Sequence, residues 1–378
     1  MLTLPSLMAD SRIRLVAAAA PREASRQAFR DRFGGSAYAD IAELCADPAV
    51  EAVYIATPHQ MHRAHVEAAA AAGKHVLVDK PLAISMEDGA AMVAVAKAAG
   101  VHLIVGPSHS FDAPVAQAAA LIAEGRIGDV RMIQAFNYTD FLYRPRRPEE
   151  LRTEEGGGVI FSQAVHQIDI VRLLAGGMAT RVQAMTGAWD PARPTEGAYA
   201  ALVAFASGAF ATLTYSGYGR FDSDVWMDAI GELGQPKDMG ASYGKARRLL
   251  ARAGTAEDEA ALKSTRTFGA EEIAPPAPEH EHFGPVIVSG TKGDLRLTPR
   301  GVWLHGDLVQ EFLPAPSLPA PRTPVVDALW SAVREGRAPV QSGAWGLASL
   351  EICHAILRAA ETGAAVALHA QVPVAPND

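Results

Sequence analysis

Through the first hundred residues, short runs of β-branched and aliphatic residues alternate with Ala-rich stretches of helical period. The runs are Arg12 to Ala19 (RIRLVAAA), Ala52 to Ala56 (AVYIA), Val76 to Val78 and Leu103 to Val105. Between them lie Pro21 to Phe33, His59 to Ala72 and Ser85 to Ala99. Strand and helix in repeating order predict parallel βαβ units. Gly34, Gly73 and Gly100 close the three helices, where a left-handed residue meets no Cβ penalty. From Val130 the rhythm changes to successive strands at Arg131 to Tyr138, Arg181 to Thr186, Tyr199 to Phe205 and Ala209 to Tyr215. That pattern predicts a long antiparallel sheet. Gly234 to Pro278, rich in charge, Ala and Pro with a helical patch at Lys245 to Ala253, reads as an insertion on the sheet. The Pro-rich Leu313 to Pro324 then leads into two closing helices, Val325 to Arg334 and Trp345 to Ala360. The second of these aligns Trp345, Ala348, Ile352, Ile356 and Ala359 on one face, and Cys353 beside that stripe reads as a small core residue rather than a nucleophile.

Composition changes this picture only by exclusion. At 378 residues the chain has material for two cores. A formal net charge of −8 gives no chain-wide attraction to nucleic acid or an anionic membrane, which leaves a small molecule as the expected partner. Two cysteines are too few for a disulfide framework, no run of 18 apolar residues occurs, and no charged leader precedes an apolar segment, so a cytoplasmic protein is expected. No metal site is expected either: His280 and His282 alternate with Glu279 and Glu281, but two imidazoles without an evident third ligand read as surface or pocket-edge residues.

A dinucleotide-binding sheet opens with a strand and a G-x-G-x-x-G turn, because only glycine lets backbone approach a pyrophosphate. The sequence has no such turn ahead of the Arg12 run; Met1 to Ser11 reads as the tail of the helix that would follow it. The expectation is that the chain starts inside its first βαβ unit. Either the protein continues upstream of Met1, or this form has lost part of its cofactor site. At the end of the Arg12 run, Ala20 stands where a carboxylate would bond a ribose 2′-hydroxyl, and Arg22 and Arg26 follow. That favours a 2′-phosphate, hence NADP over NAD.

Two longer segments carry a resemblance. Ala56-Thr-Pro-His-Gln-Met-His62 followed by Ala72-Gly-Lys-His-Val-Leu-Val-Asp-Lys-Pro-Leu82, and Gly156-Gly-Gly-Val-Ile-Phe-Ser-Gln-Ala-Val-His-Gln-Ile-Asp169, resemble the motifs of the Gfo/Idh/MocA oxidoreductases. Pro145 to Leu151 (PRRPEEL), the inserted region and Glu279 to Gly284 further resemble members described as phthalate 4,5-dihydrodiol dehydrogenases. The resemblance implies an α/β fold. Residues 1–108 would form a Rossmann-like nucleotide-binding domain lacking its first strand. Residues 109–324 would form an α/β domain on a large, mostly antiparallel open sheet, with 325–378 packing back as helices. It also implies a homodimer or homotetramer built through the sheet's free face. Asp79 stands for the usual Glu, and Ser162 for a usual aspartate four residues before His166.

In that frame Lys80, at a parallel strand's C-terminal end and fixed by Pro81, is the expected proton acceptor for hydride transfer from a carbinol to NAD or NADP. The bland alternative, a solvated strand-end lysine, is outweighed by the surrounding motif. His166 is expected to polarise the substrate oxygen, with Gln163 on its face and Asp169 behind it. The glycine run before it would permit close ligand approach. Thr57, Pro58, His62, Asp79, Lys80 and Pro81, with Arg22, are expected at the cofactor, Thr57 alternatively serving as a helix cap. His109, Arg144, Arg146 and Arg147 are expected at the substrate. The arginines suit the carboxylate of a ring flanked by Tyr138, Phe141 and Tyr143, or else pair in a solvated loop with Glu149, Glu150 and Glu154. The resulting expectation is an NAD(P)-dependent dehydrogenase of a secondary alcohol, a carboxylated aromatic cis-dihydrodiol. A sugar or cyclitol dehydrogenase, an NAD-dependent glycosidase of this fold and a non-enzymatic binding protein are the alternatives.

Overall fold

The structure, a computed structural model, describes residues 3–264 and 277–374, so the 265–276 part of the expected insertion lies outside it. Two compact units emerge, one from residues 3–107 with 318–350, the other from 108–263, 277–317 and 351–374.

In the first unit α1 (Leu4–Ala9) precedes β1 (Ala17–Ala19), α2 (Glu23–Phe33), β2 (Ser36–Tyr38) and α3 (Ile41–Ala46). There follow β3 (Ala52–Ile55), α4 (His62–Ala71), β4 (His75–Val78), α5 (Met86–Ala99) and β5 (Leu103–Val105). All strand pairs are parallel, but they form two sheets, β1-β2 and β3-β4-β5. A doubly wound sheet of order 3-2-1-4-5-6 has its first strand in the middle, and the break between β1 and β3 falls at that place. It also accounts for the short β1. Among the described residues the predicted Arg12 to Ala19 strand pairs with three-residue β2 on one side, so Ala17–Ala19 are the residues in the ladder. The core is made by Ile55, Val66, Val76, Val78, Met92 and Ile104. The Thr323–Glu335 helix is tied to the unit by Arg334 and Glu51 (2.7 Å).

In the second unit α6 (Ala113–Ala123) and α7 (Val165–Ala175) lie with β6 (Val130–Tyr138), β7 (Ala179–Gly187), β8 (Ala198–Phe205) and β9 (Phe210–Ser216). Then come β10 (Val286–Gly290), β11 (Asp294–Thr298), β12 (Gly301–His305), β13 (Gln310–Pro314) and β14 (Val366–Ala367). Nine strands form one sheet in the order β13-β12-β11-β10-β6-β9-β8-β7-β14. It is antiparallel except at its centre, where β6 and β9 run parallel. The mostly antiparallel sheet is as expected, and its parallel pair has a topological reason: α7, β7 and β8 intervene between those two strands in the chain and allow a crossover. One face packs on the helices through Ile133, Val182, Val203 and Leu213, all fully buried. The other carries a register row of Gln183, Leu202, Thr212, Gln134, Ile287, Arg296, Trp303 and Phe312, with a single charge.

The described part of the insertion closes on the 141–150 loop. Arg247 of its Lys245–Leu250 helix stacks over Tyr143 (3.8 Å), and Glu259 of the Ala256–Ser264 helix pairs with buried Arg193 (2.8 Å). Among the described residues no helix is long and apolar enough to cross a membrane.

Candidate active site

In the first unit the chemistry-bearing residues stand at the C-terminal ends of β3 and β4, where parallel sheets hold ligands. Beyond β4, the Asp79 Oδ1 accepts from the Lys80 N–H (3.2 Å), and Lys80-Pro81 is a cis peptide. Desolvation pushes the Asp79 carboxyl upward, opposed by the charges of Lys80, Arg322 and His62. Beyond β3, the Thr57 hydroxyl bonds His65 Nδ1 (3.0 Å) and caps no helix. Pro58 is exposed. His62 corrects its expected role as a cofactor donor. Its ring is fully buried, with one nitrogen 3.0 Å from the Thr57 carbonyl and the other 3.2 Å from those of Pro81 and Leu82. It therefore ties the two strand-end turns together, because buried carbonyls need donors. Lys74 of the same motif performs a similar service, donating to the Asp47 and Val50 carbonyls (3.2 and 2.7 Å). Of the two arginines after β1, Arg26 bonds the Ala20 and Pro21 carbonyls (2.7 and 2.9 Å), whereas Arg22 is exposed at the N-cap of α2.

In the second unit a π-helical turn (Ile160–Ala164) leads into α7, a distortion that often marks functional positions. The glycines before it serve another purpose than the expected ligand approach. Gly158 has φ +75, and a Cβ there would lie 2.1 Å from Glu196 Oε1; one on Gly157 would lie 2.6 Å from the Glu150 carbonyl. Buried Glu196 accepts the Ile160 N–H (3.1 Å) and a short bond from the Thr153 hydroxyl, fixing the start of the helix. Gln163 is buried and accepts from the Tyr215 hydroxyl (3.0 Å), so its amide oxygen is engaged by protein.

His166 meets His109 edge to face, their ring centroids 4.6 Å apart, and Phe283 covers both at 4.8 and 5.0 Å. His109 Nδ1 is 2.6 Å from Asp112 Oδ2. The polar atoms of His109, Asp112 and Glu281 all lie within 4.8 Å of one another. Sequence reasoning misses both acids as partners of this ring. The H-x-x-D spacing is a usable signal for Asp112; Glu281, about 170 residues on, leaves no local one. Burial lowers the basicity of His109, yet the charges of Asp112, Glu281 and Glu232 outweigh it and the net direction is upward. His282, read from the sequence as a surface or pocket-edge residue, is buried rather than at the surface. Its Nε2 donates to the Ile230 carbonyl (2.9 Å), its Nδ1 accepts from Gly284 (3.0 Å), and burial pushes it down to about 4.

The arginines are paired with protein carboxylates, Glu150 among them as the loop reading expects, though Arg146 is buried rather than solvated. Arg144 bonds Asp140 (3.0 Å) and Glu232 (3.3 Å), and Arg146 is buried against Phe141 (3.5 Å to the ring) and Glu150 (3.5 Å), its basicity lowered by burial to about 10. Arg147 donates its backbone N–H to Glu150 (2.8 Å). Asp169 lies one turn from fully buried Arg172 and supports its charge. Both cysteines are buried, Cys353 with its sulfur 3.8 Å from the Ile160 carbonyl.

Residues 2–107 match the family description "Oxidoreductase family, NAD-binding Rossmann fold", and residues 115–236 match "GFO/IDH/MocA C-terminal domain". A Comamonas testosteroni 1-carboxy-3-chloro-3,4-dihydroxycyclohexa-1,5-diene dehydrogenase is 44% identical over 94% of this chain and 91% of its own length. A Mus musculus trans-1,2-dihydrobenzene-1,2-diol dehydrogenase is 30% identical over 46% of this chain and 52% of its own. A solved Bordetella bronchiseptica RB50 structure superimposes with TM-score 0.92 at 39% identity, covering 97% and 96% of the two chains. A levoglucosan dehydrogenase solved with NADH and levoglucosan shares the fold alone, with TM-score 0.72 at 19% identity over 97% and 94%.

Proposed function

The chain belongs to the Gfo/Idh/MocA oxidoreductases, and from that premise we propose that it oxidises a ring cis-diol bearing a carboxylate, with NADP preferred over NAD. The class of reaction, an NAD-binding dehydrogenase, follows from the family and from the Comamonas relative. The placement of Lys80 at the end of β4, the middle strand of its sheet, carries the mechanism.

The residues fit a nicotinamide nucleotide. Thr57 and Lys80 stand at the ligand edge of the parallel strands, and Arg22 is exposed just past β1, where a ribose 2′-phosphate would take a guanidinium. The bound nucleotide supplies the hydride acceptor. As the carbinol C–H leaves with its electron pair, Lys80 takes the hydroxyl proton at Nζ, the C–O bond becomes a carbonyl, and the proton passes on to solvent. His166 donates to the substrate oxygen. The carboxylated substrate class rests on the Comamonas relative, whose diene carries a carboxyl and two hydroxyls. The test is to supply a 1-carboxy-3,4-dihydroxycyclohexadiene with NAD or NADP and follow absorbance of the reduced nucleotide. NADPH formation is expected to be the faster, and Arg22→Ala to raise the KM for NADP about tenfold while sparing NAD, the loss of one charge-assisted bond. Turnover of sugars or cyclitols but not of the diene diol would overturn the substrate assignment.

A second copy of the chain is the proposed occupant of the sheet's free face, where Met185, Leu202, Phe210, Ile287 and Phe312 are exposed. Leu202→Glu should then shift sedimentation from an oligomer to a monomer; a wild-type chain that sediments as a monomer contradicts this.

A further inference from the structure

We propose that His109 is a charged hydrogen-bond donor to the substrate's oxygens, with Asp112 as the positioning residue that holds it so. The proposal rests on the dehydrogenase reading above, and its geometry stands apart from it. His109 opens a 3₁₀ turn (His109–Phe111), and Asp112 follows it, leading into α6. The turn brings the two side chains together at 2.6 Å, Nδ1 to Oδ2. An imidazole that donates from Nδ1 turns Nε2 away from its partner, and a protonated ring offers that N–H to whatever lies beyond. His166 lies edge-on to the ring, and Phe283 walls off both imidazoles from one side.

The charged neighbours come from several elements. Asp112 lies on the ring's own turn, Glu281 in the segment before β10, and Glu232 in the loop after β9, each favouring the imidazolium. His282, beside Glu281, opposes a charge on His109, while Arg144 occupies Glu232. Burial works against the charged ring, but in a low dielectric three carboxylates outweigh it. The upward shift favours a charged donor before substrate arrives, which is what oxyanion stabilisation requires. No covalent bond is made or broken at His109; it bonds the oxygen as negative charge grows there.

Two readouts test this in the full chain. In histidine side-chain NMR titrations the His109 ring should titrate above the ordinary histidine range and fall toward it in Asp112→Asn. In steady-state kinetics Asp112→Asn should lower kcat about 10²-fold at alkaline pH, recover partly in acid where the ring protonates without help, and leave KM within a few-fold. His109→Gln, which keeps an N–H donor without charge, should lower kcat at every pH with no acid recovery. Asp112→Glu should keep the wild-type profile and separates loss of charge from loss of folding. A His109 ring that titrates alike in wild type and Asp112→Asn, or a pH profile of Asp112→Asn that coincides with wild type, would overturn the proposal. A wild-type enzyme that turns over no diol while the NMR shift is present would instead count against the substrate reading and leave the charged pair standing.

Discussion

Lys80→Met should lower kcat by about 10²–10⁴-fold, the range a positioned proton acceptor contributes. Nucleotide binding should be retained. Methionine keeps the length and apolar stem of the side chain, so packing at the end of β4 is preserved while the amine is lost. None of the described neighbours on that strand end can replace it. The Thr57 hydroxyl is engaged with His65, His62 is buried among carbonyls, and the Asp79 carboxyl is desolvated with Lys80 as its leading counter-charge. Removing that counter-charge gives an independent check through stability. Asp79 is already raised above its unfolded value, and in the variant it rises further. Raised acids leave stability intact below the ordinary carboxyl range and lose it as pH climbs through the folded value. The Tm of Lys80→Met should therefore match wild type near pH 3.5 and fall below it toward neutrality, while the kinetic defect persists at every pH. Partial recovery with a small primary amine would identify the missing group as the amine itself. Wild-type kcat in Lys80→Met would remove Lys80 from the chemistry.

The contrast between Lys80 and His62 shows what sequence can and cannot reveal about this site. Both lie in motifs whose spacing is legible, and the strand end that carries Lys80 is where the β-branched run and Pro81 place it. His62 looks equally exposed to ligand in the sequence, but its ring meets the Pro81 and Leu82 carbonyls and is buried. Backbone acceptors carry no residue-type signal, so such partners cannot be read in advance. Direction of pairing is hidden for a related reason: β6 and β9 alternate in burial as antiparallel strands do, and only the crossover makes them parallel. Ser36–Tyr38 escapes because Ser-Ala-Tyr lacks the run of β-branched and aliphatic residues that marks Leu103–Val105, a strand of the same length. Local geometry fares better, as at the helix-ending glycines, which take φ values of 67, 68 and 68 at positions 34, 73 and 100. The pairings of Arg144 with Glu232 and of Glu259 with Arg193 join residues dozens of positions apart, and without them the arginines read as spare cations awaiting a ligand.

Two glycines in the same backbone region should behave very differently when given a methyl group. Gly34 has φ +67 and nothing within 4 Å of the place a Cβ would take, so Gly34→Ala should cost only the backbone strain, about 1 kcal/mol. Gly158 has φ +75, and its added carbon would fall 2.1 Å from Glu196 Oε1 and 2.5 Å from Thr195 Oγ1. Glu196 cannot step aside cheaply. Its carboxyl is buried, desolvated and bonded to the Ile160 N–H, Thr195 and Thr153, so displacement strips a buried polar group of its partners. Strain, overpacking and lost hydrogen bonds together put Gly158→Ala on the order of 4 kcal/mol. That is about 8–16 °C in Tm for a unit of this size. Because Glu196 fixes the entry to the π turn, the same substitution shifts Gln163 and His166, and kcat should fall with stability. Calorimetry of the two variants side by side decides the matter. Equal, small losses would mean that the glycine run is required for its backbone angles alone, and that Glu196 does not hold the helix start.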